Sequence, residues 1–345
     1  MSVGAIVIVG AGQAGGWAAR TLRDAGYEGR VVLLGAEPHA PYERPPLSKA
    51  VLAGQAAPET TELFGAAALR ELGVDFRPGA VARELRLREK TVVCADGPGV
   101  AYDKLLLCCG GRALVPALPG ANLPGVHVLR TRDDALRLRQ ALGQGTRLAV
   151  VGGGWIGLEV AATARRMGCQ VTVIEQAGRL CARSVMPGVS DALAELHRGH
   201  GVALRLGTGV AGILPAGPDL ALALSDDTVM AADAVVLGVG LQPNDELARA
   251  AGLACEGGVL VDEYCRTSAP DVYAAGDVAV MQVAAAGRRL RLESWQNAQD
   301  QGAAAARACS GLGWRGCSER GRFCPADEAS LESRAVTSPE GAAVS

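Results

Sequence analysis

No apolar run in this chain of 345 residues approaches the roughly 20 residues that cross a bilayer, so a membrane span is not expected. A basic excess is missing as well: 34 Lys and Arg stand against 36 Asp and Glu, for a net charge of −2. Binding to nucleic acid phosphates therefore has no electrostatic basis, and no nucleic-acid partner is expected. The opening residues show neither a basic leader nor a small-residue cleavage site, which argues against secretion and makes a cytoplasmic location the expectation. Ten cysteines are scattered without a CxxC pair, so neither a disulfide scaffold nor a zinc site is read from them. No HExxH pattern occurs, and the four histidines are dispersed; His197 and His200 are read as lying on a solvated helix end.

Glycine, by contrast, is abundant at 46 residues, hydrophobic residues make up 49%, and the length accommodates two domains of ordinary size. The glycines concentrate where chemistry is expected. Ala5 to Val9 is a branched apolar strand that runs into Gly10-Ala11-Gly12-Gln13-Ala14-Gly15 and then an Ala-rich helical stretch from Gly16 to Ala25. Gly10 permits a tight turn, Gly12 lets the backbone approach a pyrophosphate, and Gly15 lets the helix pack on the strand. The phosphates are expected at the helix N-terminus. A second strand, Val31 to Leu34, leads to Glu37, whose carboxylate can accept hydrogen bonds from ribose hydroxyls. Trp17, bulky for such a helix, is read as a packing residue.

The arrangement recurs in mid-chain. Leu148 to Val151 is the strand, Gly152-Gly153-Gly154-Trp155-Ile156-Gly157 the turn, Leu158 to Met167 the helix and Gln170 to Ile174 the next strand, which ends at Glu175. Two units imply two dinucleotides. A carboxylate at Glu175 suits the ribose of NAD and repels a 2′-phosphate, favouring NADH, while Arg179 and Arg183 leave NADPH open.

Pro41-Tyr42-Glu43-Arg44-Pro45-Pro46-Leu47-Ser48-Lys49 closely resembles a loop of the ferredoxin and rubredoxin reductases that serve Rieske dioxygenases and bacterial cytochromes P450, FAD-dependent members of the pyridine nucleotide-disulphide oxidoreductase superfamily. Three later segments resemble that family too: Thr267 to Asp277, Glu159 just past the second glycine turn, and Glu293 to Gln299. The resemblance implies that Arg44 and Lys49 lie along the FAD, with Lys49 near its reactive edge, where a cation stabilises the anionic reduced flavin. It implies further that Asp277 bonds the ribityl chain, that the backbone at Trp295 and Gln296 contacts the flavin ring, and that Glu159 faces the nicotinamide and pairs with Lys49. Singly, each has a plainer reading: a solvated loop for Arg44 and Lys49, a helix cap for Asp277, a surface charge for Glu159, core for Trp295. Together, in order over residues from about 5 to 305, they carry the resemblance.

The implied fold is α/β, with two doubly wound Rossmann-like domains: residues 1 to 112 and 241 to 308 for FAD, 113 to 240 for NAD. The implied activity is hydride transfer from NADH to FAD, followed by electron transfer to a ferredoxin or rubredoxin-type iron-sulfur partner, for which Arg288, Arg289 and Arg291 offer either a basic docking run or a solvated hairpin. Related branches use redox cysteines early in the chain, but none precedes Cys94, so the chemistry is expected to run through flavin alone. Two departures stand out. Cys108-Cys109-Gly110 replaces the family's Ala-Thr-Gly; both are expected to be thiols, since a vicinal disulfide is strained. From Cys309 to Ser345 the pattern of the family's third, interface domain is absent, and this Gly-rich stretch is expected to lack a stable fold, as a disrupted reading frame would produce. Two other functions fit the same motifs: a nucleotide-binding flavoprotein outside any electron chain, like apoptosis-inducing factor, and a fragment that leaks electrons to oxygen.

Overall fold

The computed structural model describes residues 4–283 and 287–311. Among these, the chain divides into two units, one formed by residues 4–43, 62–111 and 243–311 and the other by 44–61 and 112–242.

The first unit is built on a five-stranded sheet in the order Val272–Ala274, Lys104–Leu107, Ala5–Val9, Arg30–Gly35, Val74–Pro78, with every neighbouring pair parallel. Its strands read as near-continuous apolar runs because helices cover a parallel sheet on both faces. Ile6, Ile8, Leu33 and Leu106 are fully buried, each stabilising the fold by about 1.5–3 kcal/mol. The helix Gln13–Asp24 packs against the helix Trp295–Ser310 so closely that a Cβ on Gly302 would stand 2.4 Å from the Ala14 carbonyl oxygen. The first helix thus begins at Gln13 and not at Gly16. Glycine's poor helix propensity hid the first start, and packing overrides it.

In the second unit the sheet order is Ala203–Leu206, Gln170–Glu175, Arg147–Val151, Ala234–Leu237, Val126–His127, again all parallel. The second glycine turn feeds the helix Trp155–Arg166, and the helix Pro187–Gly199 follows the second strand. A three-stranded antiparallel sheet, Val210–Ala216, Asp219–Leu224 and Val229–Ala232, completes the unit.

Both sheets are doubly wound. Ala5–Val9 lies between Arg30–Gly35 and Lys104–Leu107, and Arg147–Val151 lies between Gln170–Glu175 and Ala234–Leu237, so each glycine turn emerges at the point where the strand order reverses. Crevices beyond the carboxyl ends of the strands at such points are where open α/β sheets bind ligands.

Among the described residues no helix is long and apolar enough to cross a membrane, and no group of three or more His, Cys, Asp or Glu could hold a metal ion. Cys309 and Ser310 belong to the last helix; residues 312–345, on which the rest of the C-terminal expectation falls, lie outside the described residues. His197 corrects the solvated-helix reading. It shares a buried stripe with Ser190 and Ala194, and its ring nitrogens face the carbonyls of Leu193 at 2.9 Å and Leu158 at 3.3 Å, whereas His200 is exposed as expected.

Candidate functional site: two glycine-turn cradles and a clamped ion pair

The two glycine turns are built alike. Gly10 donates its N–H to the Leu34 carbonyl and Gly152 to that of Ile174, both at 2.8 Å, which ties each turn to the neighbouring strand. Gly10 has φ +109° and Gly152 φ +107°, a region closed to most side chains. A Cβ would stand 2.1 Å from the Cys108 carbonyl oxygen at Gly10 and 2.4 Å from that of Gly238 at Gly152. Gly15 and Gly157 are crowded from within the turn: a Cβ would lie 1.8 Å from the Gly10 oxygen and 2.1 Å from the Gly152 oxygen, respectively.

Gly12 and Gly154 are the opposite. A Cβ at either would meet nothing within 4 Å, although each is the N-cap of a helix in ordinary extended backbone. Crowding within the chain does not require glycine there, and the bare backbone leaves each N-cap open to a ligand. Neither helix has a side-chain cap or an acidic residue in its first turn. The leading N–H groups of such helices lack intrahelical partners and carry the positive end of the dipole, so each cradle suits a phosphate. The residues present therefore fit a dinucleotide pyrophosphate in each unit.

A carboxylate follows each cradle. Glu175 accepts the Gly153 N–H through Oε2 at 2.6 Å and the Ala177 N–H through Oε1 at 2.7 Å, so it is anchored at the second turn with lone pairs left for ribose hydroxyls. Glu37 accepts the Tyr42 hydroxyl at 2.5 Å. Arg179 is directed elsewhere: its guanidinium donates to the carbonyls of Val185 and Ala182, both at 2.7 Å, and to the Ser190 hydroxyl at 2.9 Å. It laces the loop to the helix Pro187–Gly199, whereas Arg183 is exposed. Glu175→Ala should weaken NADH binding by about tenfold while changing NADPH binding less, since the removed carboxylate repels the extra phosphate; comparison of the two dissociation constants checks this.

Within the second unit, the 3₁₀ turn Pro45–Ser48 meets the helix Trp155–Arg166. Lys49 pairs with Glu159 Oε1 at 2.8 Å and also donates to the Pro45 carbonyl at 3.2 Å. Ser48 donates its hydroxyl to Glu159 Oε2 at 2.5 Å, and Thr163, one turn along the same helix, donates to the Ser48 carbonyl at 2.7 Å. Arg44 donates to the Arg130 carbonyl at 2.5 Å. Sequence reasoning singled out Lys49 and Glu159 but missed Ser48 and Thr163; the spacing of Glu159 and Thr163 on one helical face was the available signal.

In the first unit, Gly276 has φ +80° and places Asp277 at the end of the strand Val272–Ala274. The Gly276 N–H is accepted by Oε1 of the buried Gln301 at 2.9 Å, a positioning contact not foreseen from sequence. Trp295 opens the last helix half-exposed, and Gln296 bonds Asp300 on its outer face at 2.9 Å. Cys108 and Cys109 are free thiols; burial pushes Cys108 well up and Cys109 up to about 12, so neither is a thiolate nucleophile at neutral pH. In the basic run, Arg289 pairs with Glu256 and Arg291 with Glu293, and the segment forms one strand of an antiparallel hairpin, Ala279–Val283 with Arg288–Leu290.

A family model described as "Pyridine nucleotide-disulphide oxidoreductase" matches residues 4–302. The chain is 41% identical over 307 residues to the 3-phenylpropionate/cinnamic acid dioxygenase ferredoxin–NAD(+) reductase component of Photorhabdus laumondii, covering 89% of this chain and 77% of the relative. It is 43% identical over 305 residues to the biphenyl dioxygenase system ferredoxin–NAD(+) reductase component of Paraburkholderia xenovorans, covering 88% and 74%. Among solved structures, the covalent putidaredoxin reductase–putidaredoxin complex is similar with TM-score 0.86 and 37% identity, over 89% of this chain and 75% of that one.

Proposed function

The chain belongs to the pyridine nucleotide-disulphide oxidoreductase family, and on that premise we propose that it is an FAD-dependent NADH oxidoreductase of the ferredoxin reductase type. It passes hydride from NADH to FAD and then electrons to a ferredoxin or rubredoxin-type iron-sulfur partner. One observation carries this reading: two strand, glycine-turn, helix units whose second glycines, Gly12 and Gly154, face open space. Relatives named as ferredoxin–NAD(+) reductases support the choice of substrates.

The flavin supplies the exchange between a two-electron donor and one-electron acceptors. The chain's own residues bind and orient. Gly10, Gly12, Gly15 and Glu37 hold one dinucleotide, with Asp277, Trp295 and Gln296 completing the flavin's contacts. Gly152, Gly154, Gly157 and Glu175 hold the other. Lys49 and Glu159 are the catalytic pair, the ammonium balancing negative charge gained on reduction. Its place is the cytoplasm, where thiols stay reduced.

Steady-state oxidation of NADH in the presence of a [2Fe–2S] ferredoxin tests the assignment. Rapid, ferredoxin-dependent turnover is expected. Flavin reduction without transfer to any iron-sulfur protein would favour the nucleotide-binding role outside an electron chain, and rapid peroxide formation instead would favour the oxygen-leaking fragment.

A further inference from the structure

The Lys49–Glu159 pair is too exposed to fix itself. The lysine side chain is 44% exposed and the glutamate 30%, and ion pairs of that kind hold geometry weakly. Two buried side chains lie against it, however. Ser48 is 1% exposed and Thr163 is 1% exposed. Ser48 has one hydroxyl proton and two acceptors in range, the Pro45 carbonyl at 3.3 Å and Glu159 Oε2 at 2.5 Å. The shorter contact to a charged acceptor is the stronger, so the proton goes to Glu159. That leaves Oε1 for Lys49. Thr163 in turn holds the Ser48 carbonyl, so one helical face grips the Pro45–Ser48 turn at two points, Glu159 and Thr163.

Building on the function proposed above, we infer that Ser48 and Thr163 are positioning residues for the hydride step. Ser48 fixes the Glu159 carboxylate by one oxygen so that the other is presented to Lys49, and Thr163 fixes Ser48. Removing the hydroxyl leaves Glu159 with its exposed ion pair alone, free to change rotamer. Misplacement by an ångström costs up to about a hundredfold in rate, so a partial release costs about tenfold. NADH affinity, set by Gly154 and Glu175, does not depend on this contact.

Stopped-flow reduction of the flavin holoenzyme by NADH separates limiting rate from apparent affinity. Ser48→Ala and Thr163→Val should each lower the limiting rate by about tenfold with little change in affinity, flavin content or melting temperature. Thr163→Ser, which keeps the hydroxyl, should restore the parent rate. In a Glu159→Ala background, Ser48→Ala should have no further effect, because Ser48 acts through Glu159. An unchanged limiting rate in Ser48→Ala overturns the inference, as does an equal loss in the Glu159→Ala background. If Ser48→Ala does not fold, the contrast between Thr163→Val and Thr163→Ser decides alone. A parent enzyme that NADH does not reduce would overturn the proposed function itself, and the positioning role with it.

Discussion

Gly12→Val is expected to purify colourless while folding as the flavin-stripped parent does. Gly12 is an N-cap in extended backbone at φ −91°, ψ −158°, outside the left-handed region that favours glycine, and nothing lies within 4 Å of its Cβ position. Glycine is a fair N-cap and valine a poor one, so the exchange costs the apoprotein about 1 kcal/mol. Its effect on FAD is larger, because the new methyl groups fill the space through which a pyrophosphate approaches the turn. A loss of about a hundredfold or more in FAD affinity, near 3 kcal/mol, is the expected size. Flavin content after purification, with the melting temperature of the apoprotein, measures both quantities. Gly10→Ala is the useful contrast: its Cβ collides with the Cys108 carbonyl at a left-handed φ, and it should damage the fold as well as the cofactor site.

The second large effect is at the other turn. Gly154→Val should purify yellow, with the flavin spectrum of the parent, yet resist reduction by NADH. The backbone at Gly154 is again extended, at φ −83° and ψ 179°, and again open around its Cβ position. The first unit is untouched by the change. Dithionite should bleach this variant fully, while the apparent dissociation constant for NADH rises by about a hundredfold or more. Taken together, the two variants divide one activity into two separable binding events. A Gly154→Val enzyme that loses flavin and keeps NADH binding would show that the two units are assigned in the wrong order.

Much of this was legible in the sequence because it is local. A branched apolar run, a glycine turn and a helix lie within about 20 residues, so the strands Ala5–Val9 and Gln170–Glu175 and the positions of Gly10, Gly12, Gly152 and Gly154 could be read directly. Helix starts were less legible, since the glycines at Gly15 and Gly16 are poor helix formers and are retained there by close packing. Contacts between distant residues were not legible at all. Ser48 and Glu159 are 111 positions apart, and nothing in Pro-Leu-Ser-Lys says which side chain turns toward a helix. Arg179 shows the same limit. Its position left a phosphate ligand open, and nothing in the sequence shows that its guanidinium bonds the Val185 and Ala182 carbonyls and the Ser190 hydroxyl. His197 was misjudged because a polar residue near a helix end is read as solvated, whereas the helical period puts it on the buried stripe with Ser190 and Ala194.

On the function proposed above, one chain holds both nucleotides and moves hydride between them. Anaerobic titration of the purified protein with NADH, followed by flavin absorbance, tests it most directly. Bleaching that is complete at about one equivalent of NADH per flavin is the predicted result. A protein that carries flavin but stays oxidised in excess NADH, or one that takes up no flavin when FAD is supplied, would contradict that function.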